Sequence, residues 1–140
     1  MTTRPLTLTT PDRETLGLIL STQNAAADEA RTLADLIIGL GEASVVRSED
    51  VPPTVVTLNS RVRVRTVGTD AEREFTLVVP GHSDLRKGRI SVLTPVGAAL
   101  LGRREGDTVA CEVPAGTVRL RIEAVLYQPE AAGVTDVATA

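Results

Sequence analysis

The stretch ISVLTPVGAALLGRREGDTVACEVPAGTVRLRIEAVLYQPEAAG, residues 90–133, decides how the chain is read. It predicts a strand, a Pro-led turn, one short helix, a Gly stop, a Gly-Asp turn and two further strands. Thr94 can cap the helix, and Pro95 fits the first helical position, where the missing N–H removes no hydrogen bond. Val96, Ala98, Ala99, Leu100 and Leu101 make the helix almost wholly apolar, so it has to be buried. Gly102 suits a left-handed C-terminal stop. Nothing in this plan supplies catalytic chemistry. It predicts a core element that carries a shaped turn, as a docking module needs.

Working upstream, the pattern has the period of strands. Arg61-Val62-Arg63-Val64-Arg65-Thr66-Val67 alternates, which predicts Val62, Val64 and Val67 inward and Arg61, Arg63 and Arg65 as a basic outer face. Gly68-Thr69-Asp70 reads as a turn and Glu74 to Val79 as the next strand, stopped by Pro80-Gly81. His82 to Gly88 reads as a polar loop, and Ala115-Gly116 as a tight turn between the last two strands. About five largely antiparallel strands and one short helix define an α+β body.

The character changes at Val51-Pro52-Pro53, because proline does not continue a helix and favours extended geometry before it. Ahead of that point, one helix is predicted from Thr10, with Pro11 at the first helical position, Asp12 and Glu14 complementing the positive helix end, and Leu16, Ile19 and Leu20 at helical spacing. A second is predicted over Asp28 to about Leu40, with Leu33, Leu36, Ile37 and Leu40 as its stripe. Thirteen helical residues span about 20 Å. The expected organisation is a short antiparallel, coiled-coil-like hairpin over residues 1–50, the body over 51–133 and a tail over 134–140.

Three blocks carry a family resemblance. Ile90 through Gly102 resembles the C-terminal domain of the Gre transcript-cleavage factors. Val55-Val56-Thr57-Leu58-Asn59-Ser60-Arg61-Val62 resembles that family's strand entry. Leu126-Tyr127-Gln128-Pro129-Glu130-Ala131-Ala132-Gly133 is more similar still to the nucleoside diphosphate kinase regulators, relatives of the Gre factors. The resemblance implies an FKBP-like body and RNA polymerase as partner, at the rim of its secondary channel. It aligns Thr94-Pro95-Val96 with the Ser-Pro-Ile/Leu turn that helps Gre factors dock. That turn can equally be read as helix capping, and the two roles are compatible.

Gre factors hold acidic residues at the tip of a long hairpin, where they help bind a magnesium ion inside the polymerase. Asp28 and Glu29 lie near the predicted bend of the hairpin. They are candidates for that tip and equally plain complements of a helix dipole. The predicted hairpin is far shorter than the Gre one and lacks the Gre tip motif, so occlusion without transcript cleavage is the expected activity. A carboxylate that does not reach the catalytic metal cannot assist metal-dependent hydrolysis. The implied regulator would compete with Gre factors, and its effect on nucleoside diphosphate kinase would be indirect. Direct binding to the kinase is the alternative.

Composition narrows the remaining classes. With a net charge of −3, the 140-residue chain lacks the basic excess of a dedicated nucleic-acid binder, so no sequence-specific nucleic-acid contact is expected. One Phe, one Tyr and no Trp cannot build a base-stacking platform, nor the aromatic-lined pocket of a prolyl isomerase, which an FKBP-like body otherwise suggests. Phe75 and Tyr127 read as packing residues. The single Cys111 excludes an intramolecular disulfide and reads as a buried thiol. His82 has no neighbouring metal-ligating partner in sequence, and His82-Ser83-Asp84 is adjacency rather than a triad. No phosphate-binding glycine motif occurs. The expectation is a cytoplasmic, non-enzymatic chain without cofactor or metal and with no membrane association. Arg61, Arg63 and Arg65 read as a solvated strand face or as a patch for an acidic partner.

Overall fold

The structure, a computed structural model, describes residues 6–22, 39, 41–113 and 116–133. Its centre is a five-stranded sheet of order β5-β4-β3-β7-β6. The strands are β3 (Arg61–Thr66), β4 (Glu72–Val78), β5 (Arg89–Ser91), β6 (Thr108–Val113) and β7 (Gly116–Tyr127). All pairings are antiparallel except β4 with β5, which is parallel. The long β7 pairs with β3 on one side and β6 on the other, and bulges near Val62 and Arg63 shift its register against β3. This is the α+β sheet that the alternating valines predict.

Val62 and Val64 are fully buried, as their alternation requires, but Val67 is 51% exposed. The ladder ends at Thr66, whose N–H turns to the Ala71 carbonyl, so Val67 belongs to the turn and loses the inward phase. Asp70 adopts a positive φ of 59° there, a left-handed conformation that aspartate tolerates. Phe75 packs against the core as expected, whereas Tyr127 at the end of β7 is 44% exposed. Cys111 is buried, and burial pushes its thiol pKa up.

Helix α1 spans Thr10–Thr22. Thr9 caps it, its hydroxyl accepting from the Asp12 N–H at 3.2 Å. Leu16 is buried and Ile19 packs on the core, which fits the predicted stripe. The second predicted helix, the hairpin it would complete and the candidate acids Asp28 and Glu29 lie outside the described residues, apart from helical Gly39, Gly41 and Glu42. The turn at Ala115 is also outside them, although Val113 pairs with Gly116 across it. No helix among the described residues is long and apolar enough to cross a membrane.

One element was not foreseen. Thr7–Thr9 (β1) and Ser44–Val46 (β2) form a parallel two-stranded sheet. Three residues are too few to show a period, and β1 is buried along its whole length, so it lacks the in–out alternation by which strands are recognised. β1 lies on the body. The Thr7 N–H donates to the Gly102 carbonyl at 3.2 Å, and a Cβ at Gly102 would stand 2.9 Å from Leu6 Cβ. Leu6, Leu8 and Leu16 share one hydrophobic core with Val56, Leu58, Val92, Leu100, Leu101 and Ile122. The core therefore runs across the Pro52-Pro53 stretch. Gln128 secures that stretch from the other end of the chain, its amide donating to the carbonyls of Pro52 and Val55 at 2.8 Å each.

A buried carboxyl joins α1 to the body. Asp12 accepts the Leu58 N–H at 3.0 Å. Its pKa is raised to about 7, chiefly by burial and further by the nearby charge of Glu130, against the lowering effect of the Leu58 bond. Glu130 itself accepts a hydrogen bond from the Thr57 hydroxyl at 2.7 Å. Between about pH 4 and pH 7 the folded chain thus holds a proton that the unfolded chain releases, so this group's contribution to stability falls as pH rises through that window. Asp12→Asn keeps an acceptor for Leu58 and removes the buried charge. Urea unfolding of this variant should show a flatter pH profile than wild type and a gain on the order of a few kcal/mol at pH 8. Parallel profiles for the two proteins would contradict it.

Candidate functional site

The Pro-led turn is built on one carbonyl. After β5 the backbone folds back, and the Ser91 carbonyl accepts both the Thr94 N–H at 3.1 Å and the Thr94 hydroxyl at 2.8 Å. The Thr94 hydroxyl in turn accepts the Gly97 N–H at 3.0 Å, the N-cap bond expected from the sequence. The Ser91 hydroxyl accepts the Leu93 N–H at 3.0 Å. Helix α2 follows over Pro95–Leu100 with Pro95 in its first turn. Thr94 and Pro95 are exposed and Val96 is half-buried against the core. The polar groups of the turn are therefore satisfied internally, while a rigid, mostly apolar ridge faces solvent.

Gly97 is the position that reading by residue type missed. A Cβ there would lie 2.1 Å from the Ser91 carbonyl oxygen, so only glycine allows the helix to start so close to the strand end. Its signal in the sequence is a glycine within a helix of six residues, where helix propensity alone would favour alanine. At the other end, Gly102 takes φ 76°, as predicted for a left-handed stop, and sends its N–H to the Val56 carbonyl at 2.8 Å.

Arg61, Arg63 and Arg65 do share the outer face of β3, but the structure does not leave that face basic. Each faces an acidic strand or a threonine across the ladder: Arg61 opposite Thr76, Arg63 opposite Glu74 and Arg65 opposite Glu72. Arg61 pairs with Glu74. Arg65 reaches Glu72 at 2.8 Å, with Asp70 and Glu123 each at 3.6 Å. Arg121 joins through Glu123 at 3.4 Å. Arg63 forms no ion pair among the described residues, and its Nε is buried without a hydrogen-bond partner. The strand-by-strand reading missed this because it took β3 alone, whereas the acids come from the turn at Asp70, from the next strand β4 and from the distant β7. Exposed pairs of this kind add little stability. They cancel the charge that a patch for an acidic partner would need.

Among the described residues there is no group of three or more His, Cys, Asp or Glu side chains placed to hold a metal ion. His82, Ser83 and Asp84 do not assemble a triad: Asp84 is committed to the backbone, accepting the Arg86 N–H at 3.1 Å.

The fold and this turn define a class. Residues 51–127 match the family model described as transcription elongation factor, GreA/GreB, C-term, and the chain belongs to that family. It is 43% identical over 95 residues to the regulator of nucleoside diphosphate kinase of Escherichia coli strain K12, covering 67% of this chain and 70% of that protein. It is 34% identical over 102 residues to transcription elongation factor GreA of Christiangramia forsetii, covering 69% of this chain and 65% of the factor. Among solved structures, the prokaryotic transcription elongation factor GreA/GreB from Nitrosomonas europaea superposes with a TM-score of 0.75 at 38% identity, over 89% of this chain and the whole of that one. The chain is thus a Gre-like, transcription-related regulator.

The close approach at Gly97 sets a test of the turn. In an ordinary helix Gly→Ala stabilises by up to about 1 kcal/mol. Here Gly97→Ala should destabilise by about 3 kcal/mol, because the added methyl must displace backbone rather than a flexible side chain. Chemical denaturation of the two proteins measures this, and a gain in stability would show that the strand–helix junction is looser than described.

Proposed function

We propose that this chain is a non-enzymatic, cytoplasmic regulator that docks on RNA polymerase near the rim of the secondary channel and competes there with Gre-type factors. The observation that carries the reading is the exposed Thr94-Pro95 ridge, held rigid by the Ser91 carbonyl, in a chain of the Gre C-terminal family. A docking ridge that is fixed before binding loses little conformational entropy on association. The body is read as FKBP-like. The N-terminal segment is read as a short hairpin pointing toward the channel mouth, with Asp28 and Glu29 near its bend, acting by occlusion rather than by transcript cleavage. In this reading the influence on nucleoside diphosphate kinase runs through transcription.

A second reading has one specific support. The 43% identical relative is named for regulation of nucleoside diphosphate kinase, which favours direct binding to that enzyme as the alternative. Purified kinase mixed with this chain distinguishes the two, since a stable complex without polymerase supports the second alone.

The first reading is tested by retention of core RNA polymerase on the tagged full chain, with excess Gre factor as competitor. Pro95→Ala removes part of the exposed ridge but leaves the Thr94 cap, so it should fold with a near-wild-type melting temperature and retain polymerase several-fold less well. Equal retention by wild type and variant would remove the docking role of the turn. No retention by wild type would remove the function itself.

A further inference from the structure

The Thr94–Val96 ridge is small for the task proposed for it. A stable protein interface takes about 800 Å² and some 20–30 residues from each partner. Three residues cannot supply that area, so adjoining surface must contribute, and β5 leads directly to it. The loop from Gly81 to Gly88 sits at the start of this three-residue strand and the ridge just beyond its end, separated by about 10 Å of extended chain.

That loop is built rigidly. Its 3₁₀ turn, Leu85–Lys87, is closed at the front by Asp84, whose side chain accepts the Arg86 N–H, and at the back by Gly88 at φ 70°. Asp84 and Arg89 exchange both backbone hydrogen bonds at 2.9 Å, which ties the loop to β5 and covers that strand's free edge at Arg89. A partner therefore cannot add a strand at Arg89 and has to meet side chains.

The side chains on offer are unusual in this molecule. Leu85 is 83% exposed, more than any other large apolar residue among those described. Arg86, Lys87 and Arg89 stand around it, all exposed, and none has an ion pair among the described residues. Against Asp84 alone, the loop together with Arg89 at the start of β5 carries a local excess of two positive charges, in a chain whose net charge is −3. The contrast with the outer face of β3 is direct, since there Arg61 and Arg65 have acids across the ladder. Beside the loop an open cleft of about 550 Å³, walled by Asn59, Thr76, His82, Asp84 and Arg89, offers a recess for a partner side chain.

We propose that the 81–89 loop is the second half of the docking face, and that it binds an acidic protein surface in which Leu85 fills an apolar recess and Arg86, Lys87 and Arg89 meet carboxylates. An exposed leucine at the centre of the cations, and no Phe, Tyr or Trp in the loop, favour an acidic protein over a nucleic-acid backbone. The inference rests on the polymerase reading above, in that the acidic surface belongs to the polymerase.

The test measures binding of the full chain to nuclease-treated core RNA polymerase at low and high salt. It uses wild type, the double variant Arg86→Glu with Lys87→Glu, Leu85→Ala and Pro95→Ala. Thermal melting checks that each variant folds. The charge reversal should raise Kd on the order of tenfold at low salt, with a smaller difference at high salt where the charges are screened. Leu85→Ala should weaken binding without changing the salt dependence. Wild-type affinity in the double variant and in Leu85→Ala, alongside a weakened Pro95→Ala, overturns this inference and leaves the polymerase reading standing. Absence of wild-type binding to polymerase both before and after nuclease treatment overturns both. Binding that disappears on nuclease treatment assigns the cations to a phosphate backbone and overturns the inference. Should the double variant fail to fold, Leu85→Ala and the salt dependence of wild type decide the matter.

Discussion

The Ser91 carbonyl is the constraint on which the rest of this structure depends. It takes the backbone N–H and the hydroxyl of Thr94, and it leaves no room for a side chain at residue 97. Those conditions fix the direction in which α2 leaves β5. The direction then places Leu100 and Leu101 in the core and brings Gly102 against β1. The N-terminal strand is accordingly seated on a surface whose shape was set at the far end of a six-residue helix. So short a helix has too few internal hydrogen bonds to persist alone, and it holds its place because its ends and its apolar side are tied down.

The body was legible in the sequence because its signals are local. Alternating valines mark β3, Thr94-Pro95 marks the start of α2, and Gly102 marks its end. Each is a statement about a few neighbouring residues, and each fails where the chain stops being regular, as at Val67. What escaped is what joins distant parts. The parallel pairing of β1 with β2 links residues some forty positions apart, through strands too short to show a period. Asp12 looked like a helix-dipole complement and is instead a buried carboxyl bonded to Leu58. The acids that neutralise Arg61 and Arg65 come from other strands. Proximity in space decides the first two, and no short window of sequence contains it; in the third the acids lie in the same hairpin as the arginines, and the cross-strand register decides.

The same distinction separates the candidate surfaces. A row of arginines on one strand resembles a binding patch as long as the strand is considered alone. Set into the sheet, Arg61 and Arg65 become half of a mixed-charge ladder, and the field they present to a partner is weak. The loop before β5 drew less notice in the sequence, since a polar loop is the ordinary way to leave a strand. Its cations nonetheless keep their charge because no neighbouring strand supplies acids to them. Whether a basic residue is available for recognition is therefore set by the cross-strand register rather than by its own segment.

The electrostatics of the described residues fit the proposed reading of the ridge as a recognition surface. Strongly displaced carboxyl pKa values commonly mark active sites, because burial and neighbouring charge are the means by which enzymes tune acids and bases. The displaced carboxyl here, Asp12, lies under α1 where it holds two parts of the chain together, and it faces the protein's own Leu58 rather than open solvent. The exposed ridge carries no titratable group: Thr94 has spent its hydroxyl on the cap, and Pro95 and Val96 offer only hydrocarbon. Polar groups that are already satisfied, beside apolar groups that are not, favour burial against another protein surface.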